Sequence, residues 1–182
     1  MTKTAAILGG GVIGGGWAAR FLLMGWDVQI FDPDPEAERK MSEVLANARR
    51  ALPGLSDQAM PKEGKWTFQT SIEEAVKGVA WVQESVPERL ELKHATYKAI
   101  QGANTEAIIG SSTSGFKPSE LQQGASNPGQ IVVAHPFNPV YLLPLIELVP
   151  SQESARETIE KAKDILTSIA MYPLHVRKEI DA

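Results

Sequence analysis

The sequence predicts an α/β fold: a mostly parallel, doubly wound sheet with helices on both faces. Three observations predict it. Apolar runs of four or five residues alternate with stretches of helical periodicity, the order that builds a parallel sheet covered on both sides. The first apolar run ends in Gly9-Gly10-Gly11 and passes directly into a helix-like segment. The 182 residues are 43% hydrophobic and 22% charged, enough apolar material for one domain with its own core.

Each element has its own signal. Residues 5–8 read as a short buried strand. Residues 12–24 come next as a helix, with Gly25 as the stop signal. Residues 27–31 form a second strand, apolar at Val28, Ile30 and Phe31. Asp34 as N-cap and Pro35 at the first helical position open a second helix. It carries Glu36, Glu38, Arg39 and Lys40 outward to about residue 51, where Pro53-Gly54 breaks it. Residues 55–65 are polar and irregular, and a weak strand over 67–70 leads to a short helix capped by Ser71. Next come a strand over 79–83, a helix over 88–100, a strand over 107–110 and a helical turn over 118–122. A strand over 131–134 ends at His135, and another spans 145–149. Residues 154–168 form an amphipathic helix with Ile159, Ala162, Ile165, Leu166 and Ile169 at helical spacing, and residues 172–176 the last strand. Without repeat, low-complexity tract or linker, residues 1–182 read as one domain.

Composition narrows the function classes. A net charge of −4 leaves no excess of Lys and Arg for nucleic-acid phosphates. Without cysteine there are no disulfides, Cys-ligated metals or thiol catalysis, and the chain is compatible with a reducing cytoplasm. Lys3 before an apolar stretch has the charge order of a signal peptide, but six glycines between positions 9 and 16 make a poor helix, and Arg20 interrupts the apolar residues after them. No run approaches the roughly 18 apolar residues of a membrane span.

Gly9-Gly10-Gly11-Val12-Ile13-Gly14 fits G-x-G-x-x-G, and its place between a strand and a helix gives the match weight as a Rossmann-type dinucleotide site. Gly9 would allow the tight turn, Gly11 the approach of the backbone to a pyrophosphate, and Gly14 the seating of the helix on the sheet. Val12 and Ile13 open that helix, whose free N–H groups and positive end would hold the phosphates. Asp32, 18 residues after Gly14, stands where an acid accepts the adenosine ribose hydroxyls. With Asp34 and Glu36 nearby, it would repel a 2′-phosphate, so NAD is the expected cofactor rather than NADP.

His135 closes an apolar strand, at the sheet edge where ligands of open α/β sheets bind, and Asn138 stands three residues on, between Phe137 and Pro139. Glu147 interrupts the apolar run Leu145 to Val149. A buried carboxylate there needs a partner, and His135 is the natural one; the pattern alone equally allows an edge strand with Glu147 in solvent. Ser111-Ser112-Thr113-Ser114-Gly115 is either a polar loop or a source of hydroxyls for a substrate oxygen. His94 on a charged helix reads as solvated and His175 as structural. No histidine and acid residues have the spacing of a metal site.

Taken together, the glycine run from Gly9 to Gly16, Glu84 with Pro87-Glu88 and Lys93, Ser111 to Ser114, and His135-Pro136-Phe137-Asn138-Pro139 with Glu147 resemble the 3-hydroxyacyl-CoA dehydrogenase superfamily along nearly the whole chain. The resemblance implies a general base at His135, an acid at Glu147 paired with it, and a serine at Ser114 that contacts the substrate oxygen; Asn138, in the loop after the base, is a further catalytic candidate by its place alone. It also implies Glu88 and Lys93 near the nicotinamide ribose and Asp32 at the adenosine ribose. The substrate it implies is a small-molecule 3-hydroxy acid. It further implies a C-terminal helical domain beyond this chain, with much of the substrate pocket, and a homodimeric parent. A CoA-thioester substrate would call for a basic patch such as Arg49, Arg50, Lys62 and Lys65. A non-catalytic, crystallin-like NAD-binding protein would keep the glycine turn without needing His135 and Glu147.

Overall fold

The computed structural model describes residues 3–56 and 59–179. Among them eight strands and six α-helices come in the order β1 (Thr4–Leu8), α1 (Val12–Leu23), β2 (Asp27–Phe31), α2 (Ala37–Ala51), β3 (Trp66–Phe68), α3 (Ile72–Ala75), β4 (Trp81–Glu84), α4 (Leu90–Ala103), β5 (Ile108–Ser111), α5 (Pro118–Leu121), β6 (Ile131–Pro136), β7 (Leu145–Val149), α6 (Arg156–Ser168) and β8 (Tyr172–His175). Single 3-10 turns cover Leu52–Leu55 and Pro128–Gln130.

The strands form one sheet in the order β3-β2-β1-β4-β5-β6-β7-β8. From β3 to β6 every pairing is parallel; β7 runs antiparallel to β6, and β8 parallel to β7. The order reverses at β1, where a crevice opens beyond the carboxyl ends of the strands. Alternation along the strands divides the core in two. Ile7, Val28, Ile30, Trp81, Val132, Ile146 and Leu148 face α1, α2 and α6. Ala6, Leu8, Val82, Ile109, Val133 and Val149 pack on the opposite side with Tyr97 and Ile100 of α4 and Leu121 of α5. Each fully buried large apolar side chain contributes about 1.5–3 kcal/mol, which outweighs the weak propensity of the short strands. The aromatic stack Trp17–Phe21–Trp26, with centroids 6.1 and 5.3 Å apart, locks α1 to the start of β2.

Three boundaries differ from the expectation in ways that matter. Asp34 does not cap a helix at Pro35; its Oδ1 accepts the Glu36 N–H at 2.9 Å in a turn, and α2 starts two residues later. The strand expected to stop at Ala134 continues through His135 to Pro136, because β7 returns alongside and pairs with it. Helix α4 begins at Leu90 rather than Glu88, since Arg89 is extended, and Glu88 stands free of the helix to act as a loop carboxylate. Part of the irregular stretch at 57–58, and the expected domain end at 181–182, lie outside the described residues.

Candidate cofactor and catalytic site

The glycine turn sits where β1 meets α1. Gly9 has φ +98°, and a side chain there would also meet Ser85 O at 2.5 Å. A methyl on Gly14 would lie 1.7 Å from Gly9 O, so only glycine lets α1 rest on its own entry turn. Beyond Gly11 the space is open, and Val12 is 67% exposed. No side chain caps α1, so its first amides are left to an external acceptor. A cavity of about 420 Å3 adjoins this turn, bounded by Gly9, Gly10, Gly11, Asp32, Ile72 and Val86 among others. The residues therefore fit the adenosine and phosphates of a dinucleotide.

Asp32 lies just after β2 and faces that cavity. Its Oδ1 accepts the Asp34 N–H at 2.7 Å, and its Oδ2 accepts the Gly10 N–H. The carboxylate thus ties the glycine turn to the end of β2. Each oxygen keeps a lone pair for a further donor.

Beside this cavity lies a polar assembly under the ends of β4 and β5. Lys93 is 1% exposed, and its ammonium contacts Glu84 Oε1 at 2.8 Å and Glu88 Oε2 at 3.1 Å. Glu84, wholly buried, accepts from Tyr97 Oη and Ser111 Oγ at 2.6 Å each and from Val86 N at 2.9 Å. Burial and the Glu84 carboxylate push the Tyr97 phenol well above its ordinary value, so it stays a donor. Glu88 reaches across to the serine loop, accepting from Thr113 Oγ1, from Ser114 N at 3.1 Å and from Gly115 N at 2.9 Å. Burial raises the Glu88 carboxyl, but the Thr113 hydroxyl and the Lys93 ammonium outweigh it and hold the group below the usual range. Ile13, Glu88, Lys93, Ser112 and Ser114 line one small cavity next to the phosphate turn.

His135 and Glu147 are direct cross-strand partners in the β6–β7 ladder. Nδ1 of His135 lies 2.9 Å from Oε2 of Glu147. Glu147 is only 26% exposed, and β8 covers the far edge of β7, so the edge-strand alternative does not describe it. The carboxylate at Nδ1 favours the tautomer with its proton there and leaves Nε2 as an acceptor. Phe137 stands edge-on to the imidazole, 5.6 Å between centroids. Leu145, Tyr172 and Leu174 carry exposed apolar surface on the same face as this pair.

Other expected residues are placed less tightly. Ser114 and Asn138 are exposed at the open edge. Ser112, rather than Ser114, is the hub of the serine loop, accepting from Trp17 Nε1 at 3.2 Å and Gln83 Nε2 at 2.8 Å and pairing with Ser85 Oγ at 2.8 Å. His94 is half-buried rather than solvated, with Nε2 2.8 Å from Glu120 O. His175 is half-buried, and burial with Lys163 lowers its pKa. Arg49 is engaged by Glu63 at 2.6 and 3.0 Å and Arg50 by Asn47, all in exposed contacts. Sequence reasoning counted Glu84, Ser111 and Ser112 among the residues of the resemblance and the two serines as a possible source of hydroxyls, but did not foresee this buried network, and Tyr97 had no role. An acid at a strand end nine residues before a lysine was the one available signal.

A mostly parallel sheet with a glycine-rich turn between strand and helix at its switch point is the architecture of dinucleotide-binding domains. Residues 4–180 match the model for the 3-hydroxyacyl-CoA dehydrogenase NAD binding domain, and the chain belongs to that family. It is 71% identical over 180 residues to an L-carnitine dehydrogenase/betainyl-CoA thioesterase of Ruegeria pomeroyi, covering 98% of this chain and 37% of that protein. It is 56% identical to an L-carnitine dehydrogenase of Mesorhizobium japonicum, covering 98% of this chain and 50% of that protein. Among solved structures, an NAD+-dependent dehydrogenase of a pyridine carboxylic acid (FHMPC 5-dehydrogenase) superposes with a TM-score of 0.90 at 33% identity, over 100% of this chain and 59% of its own. The chain thus spans between about a third and three fifths of the length of these relatives. No helix among the described residues is long and apolar enough to cross a membrane.

Proposed function

We propose that this chain is the cofactor-binding and proton-transfer part of an NAD-dependent enzyme that oxidises L-carnitine at its 3-hydroxyl to 3-dehydrocarnitine. The observation that carries the reading is the His135–Glu147 contact at 2.9 Å on the strand edge that also bears the glycine turn. The names of the relatives and the likeness of residues 134–148, AHPFNPVYLLPLIEL, and of Trp17-Ala18-Ala19-Arg20 to carnitine 3-dehydrogenases support the substrate.

Gly9, Gly11, Val12, Ile13 and Gly14 hold the phosphates of NAD, Asp32 its adenosine ribose, and Glu88 with Lys93 the neighbourhood of its second ribose. When bound, the nicotinamide supplies the hydride acceptor. Nε2 of His135 takes the proton of the 3-hydroxyl, and Glu147 balances the charge that forms on the ring. Ser114 and Asn138 hold the substrate oxygen. Phe137, edge-on to the base, offers an aromatic surface to the trimethylammonium group. A further domain covers Leu145, Tyr172 and Leu174, completes the substrate pocket and excludes water.

A substrate panel on the full-length enzyme tests this function, with carnitine, gulonate and 3-hydroxybutyryl-CoA compared at one NAD concentration. Carnitine is expected to give the highest kcat/KM. A higher value for the thioester or the sugar acid would overturn the substrate assignment.

A further inference from the structure

We propose that α1 has a second duty: Gly16 and Arg20, one helical turn apart, clamp segment 137–143 and thereby position the substrate side of the site. The proposal rests on the carnitine dehydrogenase function, in which His135 and the residues after it meet the substrate.

Arg20 lies in the interior, 3% exposed. Its guanidinium donates to Tyr141 O at 3.4 Å, to Ala170 O at 2.9 Å and to Met171 Sδ at 3.3 Å. All three acceptors are neutral, and they come from two segments far from α1 in sequence. A buried cation is normally kept by a carboxylate. Here no acid among these contacts accounts for it, and a methionine or leucine would fill the space without desolvating a charge. What arginine adds is a rigid fork that can hold two carbonyls at once. One carbonyl belongs to the segment that leaves β6, the other to the turn that enters β8. Burial lowers Arg20 to about 10, so the donors remain in place at neutral pH.

Gly16 makes the same connection by shape. A methyl there would lie 2.8 Å from Cβ of Val140, a residue with no exposed surface. The contact is with the base of a β-branched side chain, which cannot swing aside. The segment's own hydrogen bonds are local: the Leu142 and Leu143 amides return to Pro139 O at 2.9 and 3.0 Å. Beside the packing of Val140 and Tyr141 on the core and of Phe137 on the His135 ring, its directed ties to the domain include the seat of Val140 on Gly16 and the grip of Arg20 on Tyr141. The helix whose first turn would meet the cofactor thus holds, one and two turns further on, the segment that carries Phe137 and Asn138.

The test uses Arg20→Met, Arg20→Lys and Gly16→Ala. In the full-length enzyme, amide exchange at Leu142 and Leu143 should accelerate about tenfold or more in Arg20→Met, with β1 amides unchanged. KM for carnitine should rise by about tenfold while the Kd for NAD stays within about twofold. Arg20→Lys, able to reach one carbonyl, should fall between. If Arg20→Met fails to fold, the lysine and Gly16→Ala variants are read at the same amides. Unchanged exchange would overturn the clamp, as would a loss of NAD affinity that tracks the loss of carnitine affinity. Faster exchange with native carnitine kinetics would overturn the positioning role by removing the segment from the substrate site, an outcome distinct from failure of the substrate panel.

Discussion

In the proposed reaction the two ring nitrogens of His135 would have different work: Nδ1 is held by Glu147, and Nε2 would accept the proton. In the full-length enzyme, His135→Ala should therefore lower kcat by about 100-fold or more, the usual worth of a general base, with NAD affinity unchanged by calorimetry. A near-native kcat would remove His135 from the chemistry. Asp32 makes a second prediction. Its carboxylate, facing the cavity beside the glycine turn, should repel a 2′-phosphate, so calorimetry on this chain should find NAD bound at least about tenfold more tightly than NADP. Equal affinities would sink the ribose assignment. Both residues were legible because their context is local: a strand end that runs into a turn. The Glu84–Lys93–Tyr97–Ser111 assembly was not, because its members come from two strands and a helix. Nothing in the sequence says that a strand-end acid points inward until β4, β5 and α4 are packed.

Among the elements, α1 is the most constrained. Gly14→Ala sets a methyl against the carbonyl of Gly9, backbone that cannot yield cheaply. Overpacking of this kind costs about 1–3 kcal/mol, so urea unfolding should shift to lower concentration and NAD binding should weaken in the same variant. A variant of native stability and affinity would mean that the turn has more room than this geometry allows. Helix α6 ends differently, on Ala170 at φ 57°, a left-handed conformation in which glycine is usual. Ala170→Gly should stabilise the domain by about 0.5–1 kcal/mol, read as a higher Tm. No gain would show that the strain is absent. Periodicity made most elements legible, since a run of apolar residues or a 3.6-residue repeat survives any context. Strand direction was not: Leu-Ile-Glu-Leu-Val reads alike whichever way β7 runs, and only its ladder with β6 makes it antiparallel.

For the molecule as a whole, Glu88 should be one of the groups through which pH acts on stability. Its carboxyl is held below the usual value of 4.5 in the folded state by Thr113 and Lys93, against the opposing effect of burial. A group with a depressed folded pKa adds stability that is complete above its unfolded pKa and lost as pH falls through the folded one. Urea midpoints should thus fall below about pH 4.5 through Glu88, in addition to the loss that the lowered pKa of His175 brings as pH drops below about 6.5, and Glu88→Gln should flatten part of the more acid decline. An unaltered acid limb in the variant would rule Glu88 out as a contributor. The reversal of the sheet at β7 has a further consequence, one of parity. Side chains alternate along a strand with a period of two, so Glu147 meets its imidazole in one of two settings. Removing a single residue from the first half of β7 would leave the composition almost intact, yet turn the acid into the apolar layer and offer a leucine or isoleucine to the base. The chemistry of this edge therefore depends on counting as much as on residue type, and small insertions or deletions there should be tolerated far less well than substitutions.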